Sequence, residues 1–135
     1  MALKWYSVVI DCLDPQALAR WWAEALEWKL VYDTPEEAVI VPPHLSEEPI
    51  ADVSTWRQQG QGWVFVPVPE VKATKNRLHF DLAPHTSQDR QAEIDRLLRL
   101  GATRVNVGQD ESAVTWAVLA DPEGNEFCVL SSRDH

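Results

Sequence analysis

Residues 121–130 read DPEGNEFCVL, a polar turn that leads directly into a run of apolar residues. Proline, glycine, aspartate and asparagine in the first five positions favour a tight turn. The run from Glu126 to Leu130 has the composition of a strand, and so does Ala113 to Ala120 before the turn. The sequence therefore predicts two neighbouring strands joined by this turn.

The residues upstream of this turn add a strand, a helix and a further strand. Arg77 to Leu82 alternates as a strand, and Thr86-Ser87 is predicted to cap the helix that follows. Gly101 is predicted to end that helix, and Thr103 to Val107 forms the next strand. The apolar face of the helix includes Ile94, Leu97 and Leu98. The order of elements from residue 77 onward is βαβββ.

The first half of the chain shows the same order. Trp5 to Cys12 predicts a strand, and Asp14-Pro15 supplies an N-cap and a first-turn proline for a helix. Apolar residues recur at helical spacing in this segment, namely Leu18, Trp21, Trp22, Ala25 and Leu26. The three strands that follow are predicted at Trp28 to Tyr32, Ala38 to Val41 and Trp63 to Val68.

This internal duplication predicts the fold class. Trp5 to Val68 and Arg77 to Leu130 carry the same elements at similar spacing. The expected fold is α+β, with two βαβββ modules whose curved mixed sheets surround a central cleft. We expect one domain over residues 1–135, with module one at 3–69 and module two at 76–132.

A long polar connection lies between Val41 and Trp63. It contains Pro42-Pro43, Pro49 and two glycines, and at about 20 residues it exceeds the usual length of connections in compact domains. Two interpretations stay open, an ordinary insertion in a hairpin or a lid over a binding cavity. Trp56 keeps the lid interpretation open.

Composition and charge limit the partners. A net charge of −9 disfavours nucleic acid and anionic membrane surfaces, so a small-molecule or protein partner is expected. No apolar run approaches the roughly 20 residues of a membrane span. The start of the sequence lacks the pattern of a secretory signal, which predicts a cytoplasmic protein. Cys12 and Cys128 are expected to be free thiols.

Three segments together resemble a known family. They are Asn76 to Leu82, Leu100 to Val105 and Asp121 to Leu130, and Asp14 to Trp28 adds a helix of the same kind in the first half. The combination resembles the glyoxalase-like branch of the glyoxalase/bleomycin-resistance/extradiol dioxygenase (vicinal oxygen chelate) superfamily. This resemblance implies the two-module fold, and it implies a homodimer because members of the superfamily often pair.

The resemblance also bears on metal binding. Members with metal chemistry typically hold a divalent ion with side chains from the first and fourth strands of each half, often two His and two Glu. On that pattern His79 takes the second-half histidine position, Ser7 replaces the first-half histidine, and Cys128 replaces the last glutamate. The fourth strand offers Val66 or its neighbours and no carboxylate. His79 and Cys128 alone would make an incomplete zinc site, so neither a metal nor another cofactor is expected.

The candidate site residues are mostly aromatic. The residues expected to bind the ligand are Ser7, Trp5, Trp56, Trp63, Trp116 and Cys128. Flat tryptophan walls suit planar molecules, whereas the tryptophans of the first helix are expected to fill the core. His79 is the candidate catalytic residue, and the alternative for it is a hydrogen-bonded strand histidine. Two interpretations of Glu126 stay open: a residue at the rim of the cavity, on the face of Cys128 if the last strand is regular, or, as the favoured one, a solvated residue at the edge of a strand.

Three classes of function follow. The first is a protein that binds a small organic molecule, in particular an aromatic one, without the usual metal site. The second is a lyase or isomerase of glyoxalase type, with a degenerate metal site or with His79 as a general base near Cys128 or Asp81. The third is a regulatory or dimerisation module whose cleft is vestigial.

Overall fold

The structure is a computed structural model that describes residues 2–105 and 116–135. The chain divides into two compact units, Met1–Val71 and Lys72–His135. Each unit contains one four-stranded mixed sheet, so the predicted α+β class with two βαβββ modules is confirmed. A single domain and a cleft between the modules stay predictions. Within the described residues, no helix has the length and apolarity needed to cross a membrane.

The first unit builds its sheet from four strands. The elements in chain order are β1 (Ser7–Cys12), α1 (Pro15–Leu26), β2 (Lys29–Asp33), β3 (Ala38–Val41), α2 (Val53–Gln58) and β4 (Gly62–Pro67). The strand order is β1-β4-β3-β2, with β1 parallel to β4 and the other pairs antiparallel. The parallel pair needs a long crossover, which α1 and the strands between supply.

Helix α1 begins where the sequence predicts. The Asp14 side chain accepts a hydrogen bond from the Ala17 amide at 3.1 Å, and Pro15 is the first helical residue. Glu27 then ends the helix in the left-handed region at φ 57°. Trp22 is fully buried, and its ring packs edge to face on Trp63 with centroids 5.1 Å apart.

A short helix interrupts the connection that the sequence predicts as a loop. Helix α2 begins after Asp52, whose carboxylate accepts hydrogen bonds from the Thr55 amide and hydroxyl at 2.8 and 2.7 Å. Those bonds satisfy donors that a helix start leaves unpaired. With six residues and none of them buried, α2 has no apolar face whose periodicity would have revealed it.

The second unit repeats the arrangement. Its elements are β5 (Phe80–Leu82), α3 (Arg90–Leu100), β6 (Thr103–Arg104), β7 (Ala117–Ala120) and β8 (Glu126–Val129). The strand order β5-β8-β7-β6 matches that of the first sheet, again with one parallel pair, β5 and β8. The predicted strands Thr103 to Val107 and Ala113 to Ala120 run partly through residues 106–115, which lie outside the described residues.

The predicted cap of α3 at Thr86-Ser87 is wrong. Asp89 is the N-cap, and its carboxylate accepts hydrogen bonds from the Gln91 and Ala92 amides. The Ser87 amide instead donates to His85 Nδ1 at 3.1 Å, which holds residues 85–87 in a turn of their own. The C-terminal prediction is confirmed, because Gly101 ends the helix at φ 120°.

The turn before β8 is organised by one buried carboxylate. Asp121 is almost fully buried, and its Oδ1 accepts hydrogen bonds from the Glu123 and Asn125 amides at 2.9 and 3.0 Å. Gly124 completes the turn at φ 87°, a conformation that side chains with a Cβ rarely adopt. The turn therefore fixes where β8 starts and which face each of its side chains takes.

Candidate functional site

Strand alternation separates a core face from an open face in the second sheet. Phe127 and Leu119 are paired and fully buried on the core side. The next residue, Cys128, is paired with Val118 on β7 and with Asp81 on β5. Because neighbouring strand residues point to opposite faces, these three side chains share the other face, on which Val118 and Cys128 are buried and Asp81 is exposed.

A cavity of about 340 Å³ lies on this open face. Its apolar walls include Trp116, Val118 and Leu130. The polar groups at the cavity are Lys75, His79, Asp81, Glu126 and Cys128. This volume lies at the lower end of the roughly 300–1,000 Å³ of small-molecule sites, so the cavity suits a small ligand.

Three of the polar side chains form a cluster. His79 Nε2 lies 3.4 Å from Asp81 Oδ1, and both side chains are about half exposed, at 45% and 51%. The thiol of Cys128 completes the group, in which one ligand atom from each residue lies within 4.8 Å of the others. An imidazole, a carboxylate and a thiol therefore converge on the same cavity wall.

The surroundings keep the thiol protonated. Burial raises the pKa of the Cys128 thiol, and the negative charge of Asp81 and a hydrogen bond to its carboxylate raise it further. The positive charge of Lys75 opposes these effects without overcoming them. At neutral pH Cys128 is a neutral donor toward Asp81 and is a poor nucleophile.

Glu126 is held in place at the edge of the cavity. Its Oε1 accepts a hydrogen bond from Lys72 Nζ at 2.9 Å, and its Oε2 accepts one from the Asn76 amide at 3.3 Å. Partial burial alone would raise the pKa of Glu126, but these hydrogen bonds outweigh it and hold the pKa below its usual value. The predicted solvated edge glutamate is wrong, because only 13% of this side chain is exposed.

Sequence comparison places the chain in a family. The family of glyoxalase-like domains matches residues 7–130, which is almost the whole chain. The chain belongs to the glyoxalase-like domain family. The resemblance to the glyoxalase/bleomycin-resistance/dioxygenase superfamily is thereby confirmed. Among proteins with curated functions, none is significantly similar in sequence.

Solved structures share the fold of this glyoxalase-like chain. A glyoxalase/bleomycin resistance protein/dioxygenase family enzyme from Burkholderia phytofirmans has 14% identity and a TM-score of 0.66, covering 97% of this chain and 100% of the other. The fosfomycin resistance protein FosX from Listeria monocytogenes, crystallised with Mn(II), has 10% identity and a TM-score of 0.66, with coverages of 98% and 93%. A glyoxalase-related enzyme from Fulvimarina pelagi has 16% identity and a TM-score of 0.56, covering 94% and 86%. At these identities the likeness shows the fold alone.

Three of the residues predicted from the sequence line the cavity of the second unit, namely His79, Trp116 and Cys128. Two others, Ser7 and Trp56, line a separate cavity of about 310 Å³ in the first unit. There the ammonium group of Lys4 lies 5.2 Å from the Trp56 ring centroid, within cation–π distance. The candidates thus divide between two cavities.

The two remaining candidates line neither of these cavities. Trp63 lies in the core of the first unit, where its ring contacts Trp22 and also Trp28 at 5.5 Å. Trp5 is 65% exposed, and its indole N–H donates to the Ser7 carbonyl at 3.1 Å. Trp63 points to the buried face of β4, as Phe65 does. The alternation of these two aromatic residues in the sequence indicated that face.

Lys75, Val118 and Leu130 were not among the predicted site residues, and Asp81 was predicted only as an optional partner of His79. Val118 lies on the same face as Cys128 because the two residues are paired between β7 and β8. Leu130 follows Cys128 by two residues and so points to that face as well. Lys75 precedes β5 in a connector without periodicity. Only the strand pairing shows which of these residues meet.

The four-ligand metal set of the superfamily does not fit this chain. In the first unit Ser7 holds the histidine position, and the paired residues Val9 and Val64 occupy the register that Asp81 and Cys128 occupy in the second. Valine has no donor atom for a cation. The first sheet therefore lacks both of the ligands that the superfamily pattern would take from it.

Proposed function

We propose that this glyoxalase/bleomycin-resistance-like protein binds a small organic molecule, in particular an aromatic one, in the cavity of the second unit. The observation that carries this proposal is the composition of the cavity wall. Apolar surface from Trp116, Val118 and Leu130 adjoins a compact polar cluster at His79 and Asp81. Apolar walls with a few convergent polar groups are the usual arrangement of a small-molecule site.

The wall indicates the chemistry of the ligand. Trp116 is 38% exposed and offers a flat surface for an aromatic ring, while burial of that ring supplies most of the affinity. His79 and Asp81 provide hydrogen-bonding groups that orient a polar substituent, and Lys75 adds a positive charge. A hydroxylated aromatic carboxylic acid combines all three features and represents the ligand class.

Binding is tested with a panel of hydroxylated aromatic carboxylic acids, measured by ligand-observed NMR and calorimetry in the presence of EDTA. Trp116→Ala removes the aromatic wall, so we expect the dissociation constant of the best ligand to rise about 10-fold or more. Tyr32→Ala is the control, because Tyr32 is an exposed aromatic residue outside both cavities. Equal effects of the two substitutions, or a panel without a binder, would contradict the proposal.

A second candidate function is metal-free acid–base catalysis as a lyase or isomerase. The observation that favours it is the His79–Asp81 pair at 3.4 Å, because a carboxylate beside an imidazole supports its role as a general base. His79 would take a proton from the carbon next to a carbonyl group and return it to the neighbouring atom. Asp81 would stabilise the imidazolium formed in between.

Proton abstraction is measured as deuterium incorporation at that carbon in D₂O, followed by NMR with carbonyl-bearing aromatic ligands from the panel. Catalysis predicts exchange that His79→Ala abolishes and that His85→Ala, in a turn outside the cavity, leaves unchanged. Saturable binding without exchange leaves the protein as a binder. Neither binding nor exchange would favour a module with a vestigial site.

A further inference from the structure

Among the described residues, the side chains of His79, Asp81 and Cys128 form a group that could hold a metal ion. It offers one nitrogen, one oxygen and one sulfur atom from three side chains within 4.8 Å. Imidazole, carboxylate and thiolate are the three donor types that zinc accepts in proteins. We propose that these three residues bind one thiophilic divalent cation such as Zn²⁺ within the second unit alone.

Small side-chain movements would bring the three donor atoms to the separations that a bound zinc ion requires. Ligand atoms around a tetrahedral zinc ion lie roughly 3.3–3.8 Å apart, given the usual bond lengths. The cluster must therefore close by about 1 Å. Cys128 is fixed on β8, but His79 and Asp81 are about half exposed, so rotation of their side chains can bring the donors together.

Strand pairing brings two of the donor residues together in the second sheet, and the first sheet has no equivalent set of donors. Asp81 is the parallel partner of Cys128, and His79, which directly precedes β5, brings its Nε2 to 3.4 Å from Asp81 Oδ1. The corresponding positions of the first sheet are Ser7, Val9 and Val64, which include no strong ligand for a soft cation. The donor set is thus a property of this sequence and not of the βαβββ architecture.

The inferred site differs from the superfamily arrangement in composition and in origin. The superfamily pattern takes its ligands from both halves, whereas all three donors here belong to one sheet. Asp81 adds an acidic ligand from the first strand, and the thiolate of Cys128 adds preference for a soft or borderline ion. Together the two anionic ligands balance the charge of a divalent cation.

Three protein ligands leave a coordination position open. All three residues line the cavity of the second unit, so that position faces the space proposed for the organic ligand. On binding, the Cys128 S–H bond gives up its proton to solvent and sulfur forms the bond to the cation. The cation site does not require the organic ligand, and either can be tested without the other.

The test uses the full, untagged chain, stripped with chelator and titrated with Co²⁺ and with Zn²⁺ in the absence of organic ligands. We expect one equivalent of cation per chain, with a thiolate-to-cobalt charge-transfer band in the near ultraviolet. Cys128→Ser should abolish this band, and Asp81→Asn should weaken binding at least 10-fold. Cys12→Ser is the control, since Cys12 is also buried but lies in the first unit.

Each outcome decides the proposal. Binding that fails in Asp81→Asn and loses its charge-transfer band in Cys128→Ser, but persists in Cys12→Ser, supports it. No stoichiometric binding by the wild type, or binding indifferent to Asp81→Asn, overturns it. Asp81 is half exposed, so its variant is expected to fold even if Cys128→Ser does not. The EDTA-based ligand titration described above tests the organic-ligand proposal separately.

Discussion

Asp81 and Cys128 meet across the parallel β5–β8 pair, while Phe127, one residue earlier, points into the core. A shift of one residue in this register would exchange the two faces and remove the polar cluster from the cavity. The buried Asp121 carboxylate prevents such a shift because it ties together the turn that precedes β8. The site therefore depends on which face of the sheet each residue of β5 and β8 takes.

The assignment of the two faces predicts unequal losses of stability for two aromatic truncations in the second unit. Phe127→Ala leaves a void in the core, and we expect it to lower the free energy of unfolding by about 3–5 kcal/mol. Trp116→Ala removes a side chain that is 38% exposed, and its cost should stay below about 1 kcal/mol. Urea unfolding of both variants measures the difference. Equal losses would show that the faces are assigned incorrectly.

At the scale of elements, long periodic segments were predictable and short ones were not. Helix α1 matches its prediction because Asp14, Pro15 and an apolar stripe all agree. Helix α2 has six residues and no buried face, so nothing in the sequence set it apart from a loop. For α3 the apolar face was visible, but three residues of types that cap helices, Thr86, Ser87 and Asp89, lie within four positions, and only tertiary contacts select among them.

The corrected cap of α3 is testable. Asp89→Ala removes the acceptor of two first-turn amides, so we expect it to cost about 1 kcal/mol of stability. Ser87→Ala should cost less, because the Ser87 side chain hydrogen bonds to His85 and caps no helix. Thermal unfolding of the two variants measures the costs. The reverse order would restore the cap predicted from the sequence.

An ion pair joins α1 to β2 and makes stability depend on pH. Arg20 Nη2 lies 2.6 Å from Asp33 Oδ2, and hydrogen bonds from Arg20 and then Gln16 hold the pKa of Asp33 below its usual value. A carboxyl group whose pKa is lower in the folded state than in the unfolded state stabilises the fold. This contribution is fully present at pH values above the pKa of the unfolded state, and it is lost as the pH falls through the pKa of the folded state.

Arg20→Met should therefore reduce stability at neutral pH, and its difference from the wild type should shrink as the pH falls to values at which Asp33 is protonated. Urea midpoints between pH 2.5 and 7, spanning roughly the ordinary range of carboxyl titration, measure this difference. Arg77→Met makes the same charge change elsewhere and is the control. A difference that stays constant with pH would contradict the role of the pair. Because the pair is exposed, we expect the effect to be small.

At the scale of the whole molecule, duplication was the decisive signal. It predicted two βαβββ modules, and each sheet has the same strand order with one parallel pair. The site was predictable only in part. His79, Trp116 and Cys128 carry chemistry that the sequence shows, but the partners Val118 and Lys75 depend on register and on a connector without a pattern. Trp63 was predicted to bind the ligand, although its alternation with Phe65 indicated that it lies in the core.

We expect the chain to form a homodimer. Members of the superfamily often pair, and β1 leaves the apolar side chain of Val9 exposed, as at surfaces that a partner often covers. Light scattering on the eluting protein should give twice the chain mass of 15.3 kDa. A mass of one chain across the micromolar range would contradict this prediction.

Ligand binding in the cavity of the second unit is tested most directly by amide chemical-shift mapping of the ¹⁵N-labelled full chain, titrated with the best aromatic acid of the panel in EDTA. We expect saturable shifts that concentrate at the amides of Asp81, Val118 and Cys128. Shifts confined to the cavity of Ser7 and Trp56 in the first unit would contradict this prediction, because the ligand would then occupy a different site.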